Sequence, residues 1–405
     1  MHWDTGSLIG PDGEDWRVPV SELEKRQSLF SSSLAAQNIP SAWVQDPVDL
    51  YWLVGNRQAG GVHVKSTGSV TQYVRNSLER AIYESGEGAA PHQVETHPRM
   101  SNLSETLGEI PALQLGRLPA SDALFMQSKL GDGGDCTQTL WDLREVKSEW
   151  EIKRMKEAGM VQQLMFETID QMGCEGVTEI DLAAAADEVS RSAGFAGHIR
   201  MRKWPMDCER VVIASGSAGA VPTFFDSAVG ATGPHPLAGL GAGFKKISIG
   251  EPVIVDIVHV HRGYVSDMTR MFSVGPLDDI WNERLSDMSE IAIAVRESLE
   301  RGEDCSSAWN IGSHMATEMG HDGHLMGQGP DQARFLGHSI GLELDETPVV
   351  AAGFNRPLPI GGTMAIEPKV IHPDGAIGVE DCWVRTTEGM ECISSGDDFP
   401  LWTEW

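Results

Sequence analysis

Residues 254–272 read IVDIVHVHRGYVSDMTRMF, and the fold turns on this stretch. It divides into two β-strands around a short turn at Arg262-Gly263, with Asp256 on the outgoing strand and Asp267 on the return. The outgoing arm, Val253 to His261, is rich in β-branched residues, which suit a pleated, half-buried surface. The midpoint between the aspartates falls at the turn. They are therefore expected opposite or diagonal to one another, with side chains roughly 5–8 Å apart. Two carboxylates that close repel unless they share a proton or a cation. A metal resolves the conflict.

Residues 364–384, MAIEPKVIHPDGAIGVEDCWV, repeat the device. The turn His372-Pro373-Asp374-Gly375 has Pro and Gly where a type I turn favours them. Its centre lies midway between Glu367 and Glu380, which sets those glutamates across from each other. Between the hairpins, RFLGHSIGLELDETP carries His338 flanked by glycines, which let backbone approach closely. Two Asp, two Glu and one His form an oxygen-rich set with one imidazole. Such a set suits a pair of divalent ions (Mn, Co, Fe or Zn) better than a single closed structural zinc.

In the contexts VDIVHVHRGYVSDMTR, GHSIGLELDE, AIEP and VED, the chain resembles the prolidase, aminopeptidase P and creatinase family. The resemblance runs over nearly the whole chain. It implies a C-terminal pita-bread domain binding two divalent metals through Asp256, Asp267, His338, Glu367 and Glu380, in that order. Two bridged metals would lower the pKa of a shared water and polarise a substrate carbonyl. Glu367 matches the family's ligand-and-base glutamate, which takes the proton of that water and later helps protonate the leaving group. No G-x-S-x-G or cysteine-based alternative competes.

Three supporting histidines of the family's peptidases are changed. The place seven residues after the ligand histidine is Asp345, a catalytic candidate, and the place four residues before it is Arg334. In AVPTFFD the aligned place is Thr223, followed by Phe224 and Phe225, while His235 further on is a possible substitute. Arg334, Thr223 and Phe225 are the substrate-binding candidates. Arg334 either grips a substrate carboxylate bidentately or neutralises Asp345. The expected function is an Xaa-Pro dipeptidase- or aminopeptidase-like hydrolase cleaving an amide bond of a short peptide, with a narrower range than a generic prolidase. The alternative is a small-molecule enzyme on the same scaffold, either a creatinase-like or ectoine-type C–N hydrolase or a lyase acting on a small zwitterion.

At 405 residues the chain is long enough for two domains. Residues 1–143 read as a separate small α/β unit resembling the creatinase-type N-terminal domain, and residues 144–405 as the catalytic domain. The first contains the helical SELEKRQSLFSSSLAAQN, the strand-like SAWVQDPVDLYWLVGN, GGVHVKS, VTQYVRN and an extended TLGEIPALQLGRL. In the family, DPVDLYWLVG corresponds to a turn-and-helix segment. The second opens on a capping box, Ser148 with Glu151, and a helix whose stripe includes Trp150, Ile152, Met155, Val161, Leu164, Met165 and Ile169. Further helices are expected over 178–194, 279–302 and 306–320. Helix pairs alternating with hairpins make the class α+β.

The formal charge of −28 disfavours nucleic acid or an anionic membrane as partner, because phosphate binding needs clustered Lys and Arg. No run of ~18 apolar residues suggests a transmembrane helix, and the polar, turn-rich opening suggests a cytoplasmic protein. Six scattered cysteines without C-x-x-C read as free thiols. Cys382 is expected close to the metals, on the face of Glu380, without being a ligand. His259 and His261 have the opposite parity to Asp256 and are read as packing or solvent-facing. His314, His321 and His324 are given surface or capping roles. Family resemblance adds a homodimer.

Overall fold

The structure is a computed structural model that describes residues 8–203, 208–396 and 399–405. It divides into two compact units, Met1–Arg144 and Glu145–Trp405.

The first unit holds α1 (Val20–Ala36), β1 (Ser41–Val44), α2 (Pro47–Val54), β2 (Gly60–Lys65), β3 (Val70–Val74), α3 (Leu78–Glu84), β4 (Gln93–Thr96), α4 (Leu103–Leu107), β5 (Ala112–Leu113), α5 (Ala120–Leu130) and most of α6 (Thr137–Glu145). Its five-stranded sheet runs β4-β3-β2-β1-β5. Trp43, Tyr73, Leu103, Leu107, Leu113, Met126 and Leu130 form one of its cores. The strand-like reading of 41–56 is correct only as far as Val44. Asp46 accepts hydrogen bonds from the Val48 and Asp49 amides and Pro47 takes the first turn, so the apolar run that follows is helical, as the family segment implied. In TLGEIPALQLGRL only Ala112–Leu113 joins the sheet.

The second unit begins with α7 (Glu149–Met172), where Ser148 and Glu151 form the expected reciprocal cap, and α8 (Glu179–Ser192), capped by Thr178. Then come β6 (Val211–Ser215), β7 (Val253–His261), β8 (Tyr264–Ser273), α9 (Asp279–Glu300) and α10 (Cys305–Glu318). The chain ends through β9 (Gly337–Ser339), β10 (Glu346–Val349), β11 (Thr363–Ile366), β12 (Lys369–His372), β13 (Gly375–Gly378), β14 (Asp381–Arg385), β15 (Met390–Cys392) and β16 (Trp402–Glu404). One sheet runs β16-β8-β7-β6, a second β10-β9-β11-β14-β15, and β12 and β13 form a separate hairpin. Helix pairs and hairpins do alternate, and the class is α+β.

Met165, Phe166 and Ile169 of α7 and Leu182 and Ala186 of α8 pack on Val253, Val255 and Ile257 of β7 and Met268 and Phe272 of β8. Leu164 departs from the expected stripe: it is 51 % exposed, and Phe166 takes the inward place. Residues of α9 and α10, among them Met288, Ile291, Val295 and Ala308, share the other large core with Ile254, Met364, Val370 and Ile377.

Candidate metal centre

Strand alternation builds the centre. On β7 the residues at 253, 255 and 257 face α7 and α8, which leaves Asp256 on the opposite face. The β7–β8 ladder pairs Asp256 with Thr269 and Val258 with Asp267, so the two aspartates are diagonal neighbours. The turn at Arg262-Gly263 fixes this register, both residues having positive φ of 51° and 96°. In the second hairpin Lys369 pairs with Gly378 and His372 with Gly375. Extending that ladder sets Glu367 opposite Glu380.

Further contacts bring the remaining groups to this face. Arg270, buried on β8, donates from Nη1 to the Glu380 carbonyl at 2.9 Å and from Nη2 to the Asp381 carboxylate at 3.0 and 3.1 Å. Thr269 Oγ1 donates to Glu380 Oε2 at 2.9 Å. His338 pairs with Ala365 of β11, and the Glu367 amide donates to the Leu336 carbonyl at 2.9 Å. Gly337 permits that approach, since a Cβ there would lie 2.3 Å from the Ala365 carbonyl oxygen.

Asp267, His338 and Glu380 each present a ligand atom, all within 4.8 Å of one another. Asp267 Oδ1 and Glu380 Oε1 are buried and have no hydrogen-bond partner. Orphaned buried carboxylate oxygens beside an imidazole fit a divalent cation. Burial, then Glu380, Asp256 and Glu367, push the Asp267 carboxyl well above its usual range. Burial and then Glu367 push Glu380 up to about 8. Burial works against the charged form of His338, but Glu367 and Glu380 outweigh it and hold the imidazole up to about 9.

The other two expected ligands, Asp256 and Glu367, lie around a residue that reading the sequence missed. Lys369 is 0 % exposed, and its Nζ stands 2.6 Å from Glu367 Oε2, 2.8 Å from Glu380 Oε2 and 3.3 Å from Asp256 Oδ2. Glu367 Oε1 lies 3.3 Å from His338 Nε2. Burial alone would raise Glu367, but Lys369 and His338 bring it down to about 2. A signal was available: Lys369 follows Glu367 by two residues, the spacing that puts side chains on one side of an extended chain. Cys382 lies beside Asp267, close to the centre as expected, and is buried, its thiol donating to the Asp267 carbonyl at 3.0 Å and accepting from the Asp267 amide at 3.2 Å. The Cys208 thiol is pushed up by burial and then by the charges of Asp267 and Asp256.

The candidates at the changed histidine positions are placed differently. The Asp345 carboxylate accepts from the backbone amides of Arg202 and Lys203 at 2.7 and 2.8 Å. Arg334 is exposed and lines a cavity of about 260 Å³ beside Trp309, Thr317 and Gln332. Among the described residues no ion pair joins Arg334 to Asp345. Thr223 Oγ1 donates to the Gly239 carbonyl at 2.9 Å, and Phe225 packs on the core. His259 is packed inside, bonded to Ser190 Oγ at 2.8 Å. His321 departs from its expected surface role: it is buried, with Nε2 2.7 Å from Asp287.

The sequence model of metallopeptidase family M24 matches residues 153–387. The Xaa-Pro dipeptidase of Pyrococcus horikoshii is 26 % identical over 356 residues, covering 85 % of this chain and 90 % of that one. The solved Xaa-Pro dipeptidase from Bacillus anthracis superposes with a TM-score of 0.76 at 21 % identity, over 94 % of this chain and 100 % of its own. Dipeptidase PepE from Mycobacterium ulcerans gives the same TM-score and identity over 96 % of this chain and 100 % of its own. These likenesses extend through both units and identify the second as a pita-bread fold.

Proposed function

Because the chain belongs to metallopeptidase family M24, we propose that it is a cation-dependent hydrolase acting on an amide bond of a short peptide, in the manner of an Xaa-Pro dipeptidase or aminopeptidase. The observation that carries the reading is the Asp267–His338–Glu380 cluster with its two unpartnered, buried carboxylate oxygens. A divalent ion held there, such as Mn, Co, Fe or Zn, would supply Lewis-acid polarisation of the scissile carbonyl and acidify water. His338 turns Nδ1 toward the Ser339 carbonyl, 3.4 Å away, which presents Nε2 to the cluster. Glu367 borders the same space and is the group to accept a proton from the attacking water and return it to the departing amine.

Thr223, Phe225 and exposed Arg334 are assigned to substrate binding, the guanidinium to a substrate carboxylate. Asp345 acts by holding the backbone of Arg202 and Lys203, a positioning role. The pair of ions expected from the sequence would need its second place among Asp256, Glu367 and Glu380, where Lys369 Nζ lies; the chemistry described here needs one ion. The lysine also favours a second reading, a C–N hydrolase or lyase for a small zwitterion, because it sets this centre apart from the expected five-ligand set. A homodimer in the cytoplasm, rested on family resemblance, completes the proposal. No described helix is long and apolar enough to cross a membrane.

The test is an activity panel on protein stripped of metal and reloaded with Mn, Co or Zn: Gly-Pro, other Xaa-Pro dipeptides, their amide-capped forms and small betaine-like or cyclic amides. Peptide hydrolysis abolished by chelation and restored by metal is expected. Metal-loaded protein that turns over only the small amides would establish the second reading instead.

A further inference from the structure

We propose that Lys369 is a built-in cation that fills the second metal position of this centre, so that the chain holds a single divalent ion where its ligand set would otherwise take a pair. This rests on the reading of the centre as a metal site. Its own basis is geometric.

The Lys369 ammonium sits among three carboxylates supplied by three different segments: Asp256 of β7 at 3.3 Å, Glu367 after β11 at 2.6 Å and Glu380 before β14 at 2.8 Å. An ammonium has three N–H donors and no acceptor. Two of them go to Glu367 Oε2 and Glu380 Oε2, and Asp256 Oδ2 stands at ion-pair distance. Lys369 is therefore held among the carboxylates as their countercharge. A metal in the same place would need oxygens at about 2.0–2.2 Å, inside the volume that Nζ now occupies.

Glu380 divides its two oxygens between the positions. Oε2 accepts from Lys369 and from Thr269 Oγ1, whereas Oε1 is buried and unpartnered, as is Oδ1 of Asp267, its companion in the cluster. One position is thus satisfied by protein and the other presents bare donor atoms. The hairpin is shaped to deliver the lysine. Lys369 and Gly378 are paired across β12 and β13, and a Cβ at position 378 would lie 2.4 Å from Lys369 Cγ. Only a residue without a side chain leaves room for the stem to cross the strand pair and reach the carboxylates.

The experiment measures bound metal by elemental analysis after loading with Mn or Co and dialysis, for wild type and Lys369→Ala, with circular dichroism to verify the fold. About one ion per chain in wild type and about one more in Lys369→Ala are expected. The gain between the two proteins tests the lysine, whereas the wild-type value tests the metal-site reading itself, so the two fail separately. A folded Lys369→Ala that gains no ion would overturn the proposal, as would a wild type that already holds two. Should the variant fail to fold because its carboxylates are left without a countercharge, anomalous scattering from metal-soaked wild-type crystals decides. Nζ seated among Asp256, Glu367 and Glu380 supports the proposal; a metal peak there, with the lysine displaced, refutes it.

Discussion

Arg270 and Glu380 are joined through the main chain: the guanidinium donates to the Glu380 carbonyl at 2.9 Å while its other nitrogen holds Asp381. The residue next to β14 is therefore clamped to β8 from inside the protein. Arg270→Leu keeps much of the volume but leaves that carbonyl and Asp381 without their cation. Breaking a buried pair of this kind costs about 3 kcal/mol. We expect a lower Tm together with weaker Mn binding, because Glu380 loses its anchor. An unchanged melting curve and unchanged metal affinity would show that the clamp is dispensable.

Gly378→Ala places a methyl group against the Lys369 stem. Overpacking at a closed site costs about 1–3 kcal/mol, and the lysine must shift away from its carboxylates. Combining it with Lys369→Gly should recover part of the loss, since the Cγ contact disappears. The readout is a double-mutant cycle in chemical denaturation. Additive effects would mean that the two positions do not press on one another.

His259 gives a pH dependence. Burial, then His261 and Arg210, depress its pKa to about 3, whereas in the unfolded chain it titrates near about 6.5. Below that value the unfolded state takes up a proton that the folded state refuses. Its contribution to stability is thus fully present above about pH 6.5 and is lost as the pH falls toward the folded value. His259→Gln should melt with a weaker dependence on pH between neutrality and mild acid than wild type. Parallel pH profiles for the two proteins would contradict this.

Glu367 and Asp345 should separate in kinetics. Glu367→Gln is expected to lower kcat by about a hundredfold or more with metal still bound, as loss of a general base does. Asp345→Asn retains one acceptor for the Arg202 and Lys203 amides and turns a donor toward the other, at a cost of about 1–3 kcal/mol in local order. Its effect should fall mainly on KM. Equal losses of kcat in the two variants would return Asp345 to the chemistry.

What could be read in advance was whatever follows from local periodicity. Turn chemistry at Arg262-Gly263 and at Pro373-Asp374 placed both hairpins, and the capping box at Ser148 placed α7. The grouping of Asp267, His338 and Glu380 followed from the hairpins and the family contexts. Lys369 escaped because a lysine in a strand is ordinarily a solvated one, and only the tertiary arrangement puts three carboxylates around its tip. The bonds from Asp345 to the Arg202 and Lys203 amides escaped for a different reason: they join residues distant in sequence through backbone groups, which leave no trace in residue type. In the strand-like run before Gly55, the β-favouring Val and Trp outweighed the Asp46-Pro47 helix start when propensity alone was weighed.

The alternation along β7 has a consequence for how this protein can change. Val255 and Ile257 answer to the helices behind the sheet, while Asp256 between them answers to Lys369 and the centre in front. Selection on thermal tolerance and selection on substrate or metal therefore act on interleaved, nearly independent letters of one short word. An engineer could retune the even-numbered side without retuning the odd. A single inserted residue, by contrast, would exchange the two vocabularies and ruin both.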